Sequence, residues 1–150
     1  MELILWRHAE AEAGFPDLER ALTEQGRRQA ANMAAWLAAR LGPATRILVS
    51  PARRAQQTAA ALGRDFETVA ALAPGAQAAS VLAAAGWPDG RDVVVVVGHQ
   101  PTLGAVAALL LCGAEQPFAV KKGGIIWLSH RRREDGASVA LKAVLGAELL

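Results

Sequence analysis

With 150 residues, 53% hydrophobic and 20% charged, the chain is long enough for one domain around a real hydrophobic core and too apolar for disorder. Its net charge of +2 is slight, and no basic stripe with interleaved aromatics appears, so a nucleic-acid partner is not expected. No apolar run approaches the roughly 20 residues of a membrane helix. The start, Met1-Glu2-Leu3-Ile4-Leu5-Trp6-Arg7, lacks the basic opening and longer apolar region of a signal peptide. The expectation is a cytoplasmic protein without membrane association.

Leu3–Trp6 is a short apolar run followed by small and polar residues, which predicts a buried first strand. From Thr23 the pattern changes: Gly26, Ala30, Met33, Ala34, Leu37 and Leu41 recur at three- and four-residue steps, with Thr23 or Asp17 as cap and Gly42-Pro43 as stop. Ile47–Val49 predicts a second buried strand. It runs into Ser50-Pro51, read as a cap with proline at the first helical position, and an alanine-rich helix to about Leu62. Phe66–Ala70 is a weaker strand candidate, and Gln77–Ala85 reads as a helix stopped by Gly86-Trp87-Pro88.

Val93–Val97 is five valines in succession, apolar on both faces, as in a central strand of a parallel sheet. It ends at Gly98-His99-Gln100-Pro101, and a helix from Pro101 to about Cys112 follows. Cys112, the single cysteine, cannot form an intrachain disulfide and reads as a buried small hydrophobe. Ile125–Ser129 and Val139–Val144 resemble a hairpin at a sheet edge, with Arg131-Arg132-Arg133-Glu134-Asp135-Gly136 as its solvated turn. The sum is an α/β fold over residues 1–150: a three-layer α/β/α sandwich with a mostly parallel central sheet and an antiparallel edge strand.

In open parallel sheets, ligands bind beyond the carboxyl ends of the strands. Three predicted strand ends carry unusual residues: Arg7-His8, Ser50-Pro51-Ala52-Arg53-Arg54 and Gly98-His99. If the strands are parallel neighbours, two histidines and at least two arginines share one rim with the amino ends of two helices, which favour an anion. Guanidinium forks match phosphate oxygens. An imidazole among fixed positive charges stays neutral and nucleophilic. His8, His99, Arg7 and one or both of Arg53 and Arg54 are therefore the candidate catalytic residues. The histidines are too scattered for a metal-ligand spacing, and no cofactor or metal is expected. His130 reads as exposed and idle, and the four tryptophans as packing, with Trp6 flooring the site.

Leu5-Trp6-Arg7-His8-Ala9-Glu10 resembles the Arg-His-Gly signature of the histidine phosphatase superfamily. Ser50-Pro51-Ala52-Arg53-Arg54-Ala55-Gln56-Gln57-Thr58-Ala59 resembles its second motif, whose phosphate-binding arginine falls on Arg54, and Val97-Gly98-His99-Gln100-Pro101 its third. Leu22-Thr23-Glu24-Gln25-Gly26 is similar to a family segment near the phosphate pocket. The short length and Phe118-Ala119-Val120-Lys121-Lys122-Gly123-Gly124 look like the SixA-type phosphohistidine phosphatases. The resemblance implies a phosphoglycerate mutase-like fold and a nucleophilic His8 that carries a covalent phosphohistidine. Arg7, Arg54 and His99 would form the phosphate pocket, with Gln100 and Thr23 as further substrate contacts and no metal. Lys121 and Lys122 read as loop residues with a possible steering role.

The family's usual carboxylate proton donor has no counterpart in Leu72–Ala78; Glu10, Glu67 and Asp89 are the conceivable substitutes. Alkoxide leaving groups need such an acid, whereas the imidazole of phosphohistidine can leave already protonated. The expected partner is therefore a protein bearing phosphohistidine, such as a phosphorelay protein of signal transduction. A small phosphorylated substrate, or a pocket that binds phosphate without turnover, is the alternative.

Overall fold

The five valines form the strand on which everything else is hung. In a computed structural model covering residues 1–150, they begin β4 (Val93–Gly98), which lies between β1 (Glu2–Arg7) and β2 (Arg46–Val49), parallel to both. The six-stranded sheet has the order β3-β2-β4-β1-β5-β6, where β3 is Glu67–Thr68, β5 is Ile125–Arg133 and β6 is Gly136–Leu145. β5 is antiparallel to β1, and β6 to β5, so the antiparallel part is two strands wide rather than one.

Side chains alternate between the faces of this sheet, and both faces are covered. Leu3, Leu5, Val94 and Val96 pack with Val81 of α3 (Ala78–Ala85) and with Leu103 and Val106 of α4 (Thr102–Cys112). Ile4, Trp6, Val95 and Val97 pack with Met33 and Leu37 of α1 (Glu24–Ala38) and with Ala55 and Ala59 of α2 (Arg53–Ala60). Each fully buried Leu, Ile or Val contributes about 1.5–3 kcal/mol. That exceeds the ~1 kcal/mol span of strand propensity, so burial on both faces holds β4 at the centre.

The register fixes where the strands end. Arg7 pairs with Gly98 and Val49 with Val97. The ladder extends one step further: His8 N–H donates to Gly98 O and Ser50 N–H to Val97 O, both at 3.0 Å. His8, His99 and Ser50 thus leave neighbouring strands at the same rim.

Several expectations need correction. Ser50 does not cap α2: its hydroxyl accepts from Ala52 N–H, and the helix begins only at Arg53. Phe66–Ala70 contributes just the two-residue β3 at the sheet edge, because Glu67 and Thr68 are exposed and bury no apolar face. Arg131–Arg133 lie in β5 rather than in the turn, since the hairpin extends beyond the core and their side chains remain solvated there. Cys112 is exposed, because it ends α4 on the solvent side of the helix. His130 is not idle: it is half-buried edge-on against Trp87, with ring centroids 5.6 Å apart. No helix is long and apolar enough to cross a membrane.

Candidate active site

The rim formed by β1, β2 and β4 opens into a cavity of about 300 Å3. Arg7, His8, Arg54 and His99 line it, joined by Arg20, Gln100 and Lys122, and no carboxylate is among the lining residues. His8 and His99 are 7% and 4% exposed, their ring centroids 5.1 Å apart. Arg54 is 3% exposed, which places a guanidinium almost wholly out of water.

His8 Nδ1 lies 2.7 Å from Ala9 O. A carbonyl only accepts, so Nδ1 carries the hydrogen and Nε2 keeps its lone pair. The Ala9 peptide is itself held, because its N–H donates to Thr58 Oγ1 at 3.0 Å and that hydroxyl donates to Arg54 O at 2.7 Å. Thr58 follows Arg54 by one helical turn, so α2 supplies both the guanidinium and the hydroxyl that steadies the His8 loop.

Both arginines are anchored by their terminal nitrogens. Arg7 donates to Val120 O at 2.8 Å. Arg54 donates to Asp17 O at 2.8 Å and to Asp17 Oδ2 at 3.0 Å, while Arg20 Nε holds the other carboxylate oxygen at 3.0 Å. His99 Nε2 is 2.7 Å from Ser50 Oγ. What remains is informative. The buried side-chain nitrogen and oxygen atoms without a hydrogen-bond partner are Arg7 Nε, Arg54 Nε and His99 Nδ1, and all three belong to cavity-lining residues. A buried unpaired donor costs about 1–3 kcal/mol. Two guanidinium nitrogens and one imidazole nitrogen of this kind, all on residues that line one cavity, suit an acceptor with several oxygens.

Electrostatics favour the same occupant. Burial, reinforced by the charges of Arg54 and Arg7, pushes His8 down to about 4 against the opposing pull of the Ala9 carbonyl. Burial, followed by His8 and Arg54, pushes His99 down to about 3. Both rings are neutral near pH 7, and the positive charge of the site resides on the guanidinium groups. No group of three or more His, Cys, Asp or Glu side chains is gathered as a metal site would require.

Residues 3–77 match the family description "Histidine phosphatase superfamily (branch 1)". The chain belongs to that superfamily. A Mycobacterium tuberculosis H37Rv protein of uncharacterised function is 34% identical over 111 residues, 69% of this chain and 68% of its own. Among solved structures, the protein histidine phosphatase SixA complexed with tungstate superposes with a TM-score of 0.79, at 26% identity and over 99% of each chain. A protein of Agrobacterium tumefaciens assigned as a phosphohistidine phosphatase SixA gives a TM-score of 0.78 at 26% identity over 97% of each chain. This histidine phosphatase therefore has the phosphoglycerate mutase-like fold in its SixA form.

The other residues singled out in the sequence fall differently in this histidine phosphatase. Gln100 lines the cavity, but its amide is engaged, with Oε1 accepting from Gly104 N–H at 2.7 Å and Nε2 donating to Phe118 O at 2.8 Å. Thr23 lies outside the cavity: it caps α1 by accepting from Gly26 N–H at 2.9 Å and donates to Glu10 Oε2 at 2.8 Å. That contact also turns Glu10 away. Glu67 pairs with Arg46 and Asp89 with Arg132, so none of the three substitute acids reaches the pocket. Lys121 pairs with Glu148, while Lys122 lines the rim. Trp6 is core, its indole N–H donating to Gly123 O at 3.1 Å, and does not line the site.

Sequence reasoning missed Ser50 as the partner of the His99 imidazole, Thr58 as the hydroxyl that holds the Ala9 peptide, Asp17 as the anchor of Arg54, and Arg20 altogether. Thr58 was accessible from its one-turn spacing to Arg54. Asp17 and Arg20 have a visible three-residue spacing, but nothing along the chain places them beside α2.

Proposed function

We propose that this protein is a metal-independent phosphatase that takes a phosphoryl group onto His8 Nε2 and passes it to water, with phosphohistidine carried on a protein as its preferred substrate. The observation that carries the reading is the set of three unpaired buried nitrogens on Arg7, Arg54 and His99, residues that line the same cavity as His8. A tetrahedral phosphoryl group has oxygens for each of them. The structurally similar SixA was solved with tungstate, a tetrahedral oxyanion, which supports the same occupant here.

In the first step the Nε2 lone pair forms a bond to phosphorus in line with the departing group, and the bond to that group breaks. The equatorial charge is shared by Arg7 Nε, Arg54 Nε and His99 Nδ1, none of which must reorganise as the charge develops. Phosphohistidine leaves as imidazole already carrying its proton. In the second step water attacks phosphorus, the P–N bond breaks with its electron pair returning to His8 Nε2, and the water proton is released with inorganic phosphate. The hydrogen bond from His8 Nδ1 to Ala9 O steadies the ring when it carries the phosphoryl group.

The leaving group decides between substrates. No carboxylate lines the pocket, and the carboxylate beside Arg54, that of Asp17, is held below its ordinary range by Arg54 and Arg20 against the opposing effect of burial. An acid so tightly paired is a poor proton donor for an alkoxide. A general phosphomonoesterase is the second reading, favoured by Arg20 and Lys122, two further cations at the cavity that suit a small polyanionic substrate.

The test is a panel of phosphohistidine, a sugar phosphate and an aryl phosphate, with and without chelator, on wild type and His8→Ala. The expected result is chelator-insensitive turnover with phosphohistidine far ahead of the sugar phosphate and no turnover by His8→Ala. Faster turnover of the sugar phosphate would overturn the substrate assignment, and full activity in His8→Ala would overturn the mechanism.

A further inference from the structure

We propose that Ser50 is a positioning residue that sets the tautomer of His99, holding its hydrogen on Nδ1 so that the neutral ring donates to the phosphoryl group. The inference rests on the oxyanion-binding reading above and assigns a residue that acts through His99 rather than on the substrate.

Ser50 is fully buried, and its hydroxyl has two neighbours. Ala52 N–H donates to Oγ at 3.2 Å, and His99 Nε2 lies 2.7 Å away. A hydroxyl has one hydrogen and two lone pairs. Ala52 takes one lone pair. Were His99 Nε2–H to donate to the other, the hydrogen of this fully buried serine would have no acceptor. His99 would then also turn the lone pair of Nδ1 toward an oxyanion. With the roles reversed, every group is used: the serine hydrogen goes to Nε2, and Nδ1 carries the other hydrogen. Nδ1 is the ring nitrogen without a partner, which is what a donor reserved for a ligand looks like. The fold holds Ser50 in place from both sides, since its N–H donates to Val97 O at 3.0 Å and its C=O accepts from Gln56 Nε2 at 2.7 Å. The hydroxyl at the end of β2 is therefore aimed at the residue that ends β4. This differs from His8, whose tautomer is set by a backbone carbonyl.

The experiment is 15N–1H correlation spectroscopy of the full chain labelled with [15N]histidine, near pH 7 and without ligand, followed by titration with inorganic phosphate. Wild type is expected to show His99 with its hydrogen on Nδ1. Ser50→Ala is expected to lose that preference and to bind phosphate roughly 10- to 100-fold more weakly, while Ser50→Thr, which keeps the hydroxyl, restores the tautomer. A wild-type His99 with its hydrogen on Nε2 would overturn the assignment even if no variant folded, as would an unchanged tautomer in folded Ser50→Ala. The two layers separate cleanly: wild type in the Nδ1–H form that fails to bind phosphate would refute the oxyanion reading and, with it, the donor role, but not the pairing with Ser50.

Discussion

Acidification should cost this protein stability chiefly through its two site histidines. In the folded chain His8 titrates at about 4 and His99 at about 3, whereas an unfolded imidazole titrates near 6.5. Above that value both states hold neutral rings and nothing is lost. As pH falls from 6.5 toward 4, the unfolded chain takes up protons that the buried rings refuse, so stability declines throughout that window. At about 1.4 kcal/mol per tenfold change in proton affinity, reaching pH 5 costs about 2 kcal/mol per ring, or about 4 for the pair. That is a large share of the about 5–15 kcal/mol typical of a folded domain. Urea unfolding at pH 7.5 and at pH 5 measures it, with His8→Asn/His99→Asn as the reference that lacks both rings. Glu2 and Asp17 are also held below their ordinary values, against the opposing effect of burial, by Lys142 and Trp127 and by Arg54 and Arg20 respectively. Their contribution is lost mainly below pH 5 and is common to both proteins. Wild type should lose about 4 kcal/mol more than the double variant between the two pH values. Equal losses would refute the claim that these rings are buried in the neutral form.

Three further outcomes follow from the packing. A methyl group at Gly26 would fall on the carbonyl oxygen of Glu10, so the ~1 kcal/mol that alanine gains over glycine in a helix is outweighed. Gly26→Ala should lower Tm by roughly 3–10 °C in calorimetry, and an unchanged or raised Tm would count against this close approach. Thr58→Val preserves shape but leaves the Ala9 N–H unpaired, so the His8 loop should loosen and kcat/KM fall by about tenfold or more while the chain stays folded. Wild-type kcat/KM in that variant would show the Ala9 peptide to be held by other means. Glu10→Gln, Glu67→Gln and Asp89→Asn should each turn over phosphohistidine within about twofold of wild type, because none of these side chains reaches the cavity. A tenfold loss in any one of them would identify a proton donor.

Much of the fold is legible along the chain, for reasons visible in particular residues. Five consecutive valines can be satisfied only by a strand covered on both faces, and the spacing from Gly26 to Leu37 marks one helix face. Arg7-His8 and Gly98-His99 stand out along the chain because each places a charged or titratable residue directly after an apolar strand. The illegible parts depend on partners distant in sequence. Ser50 looks like a helix cap until His99, 49 residues away, is placed beside it. Arg54 looks half-committed to the surface until Asp17 is found 37 residues back. Thr23 and Glu10 sit close to motif residues and invite a role in binding, yet they satisfy each other at the start of α1. The hairpin illustrates a different limit. Its charged stretch Arg131–Arg133 reads as a turn because strand and turn are both solvated where β5 and β6 run beyond the core.

The central claim is that His8 bonds covalently to phosphorus, and quenching the reaction during the first turnovers tests it most directly. Denatured in alkali, wild-type protein should carry one phosphoryl group, stable to base and labile to acid, that maps to His8 by mass spectrometry and is absent from His8→Ala. Turnover with no such adduct on a time scale that captures the first cycle, or an adduct that persists when His8 is replaced, would contradict it.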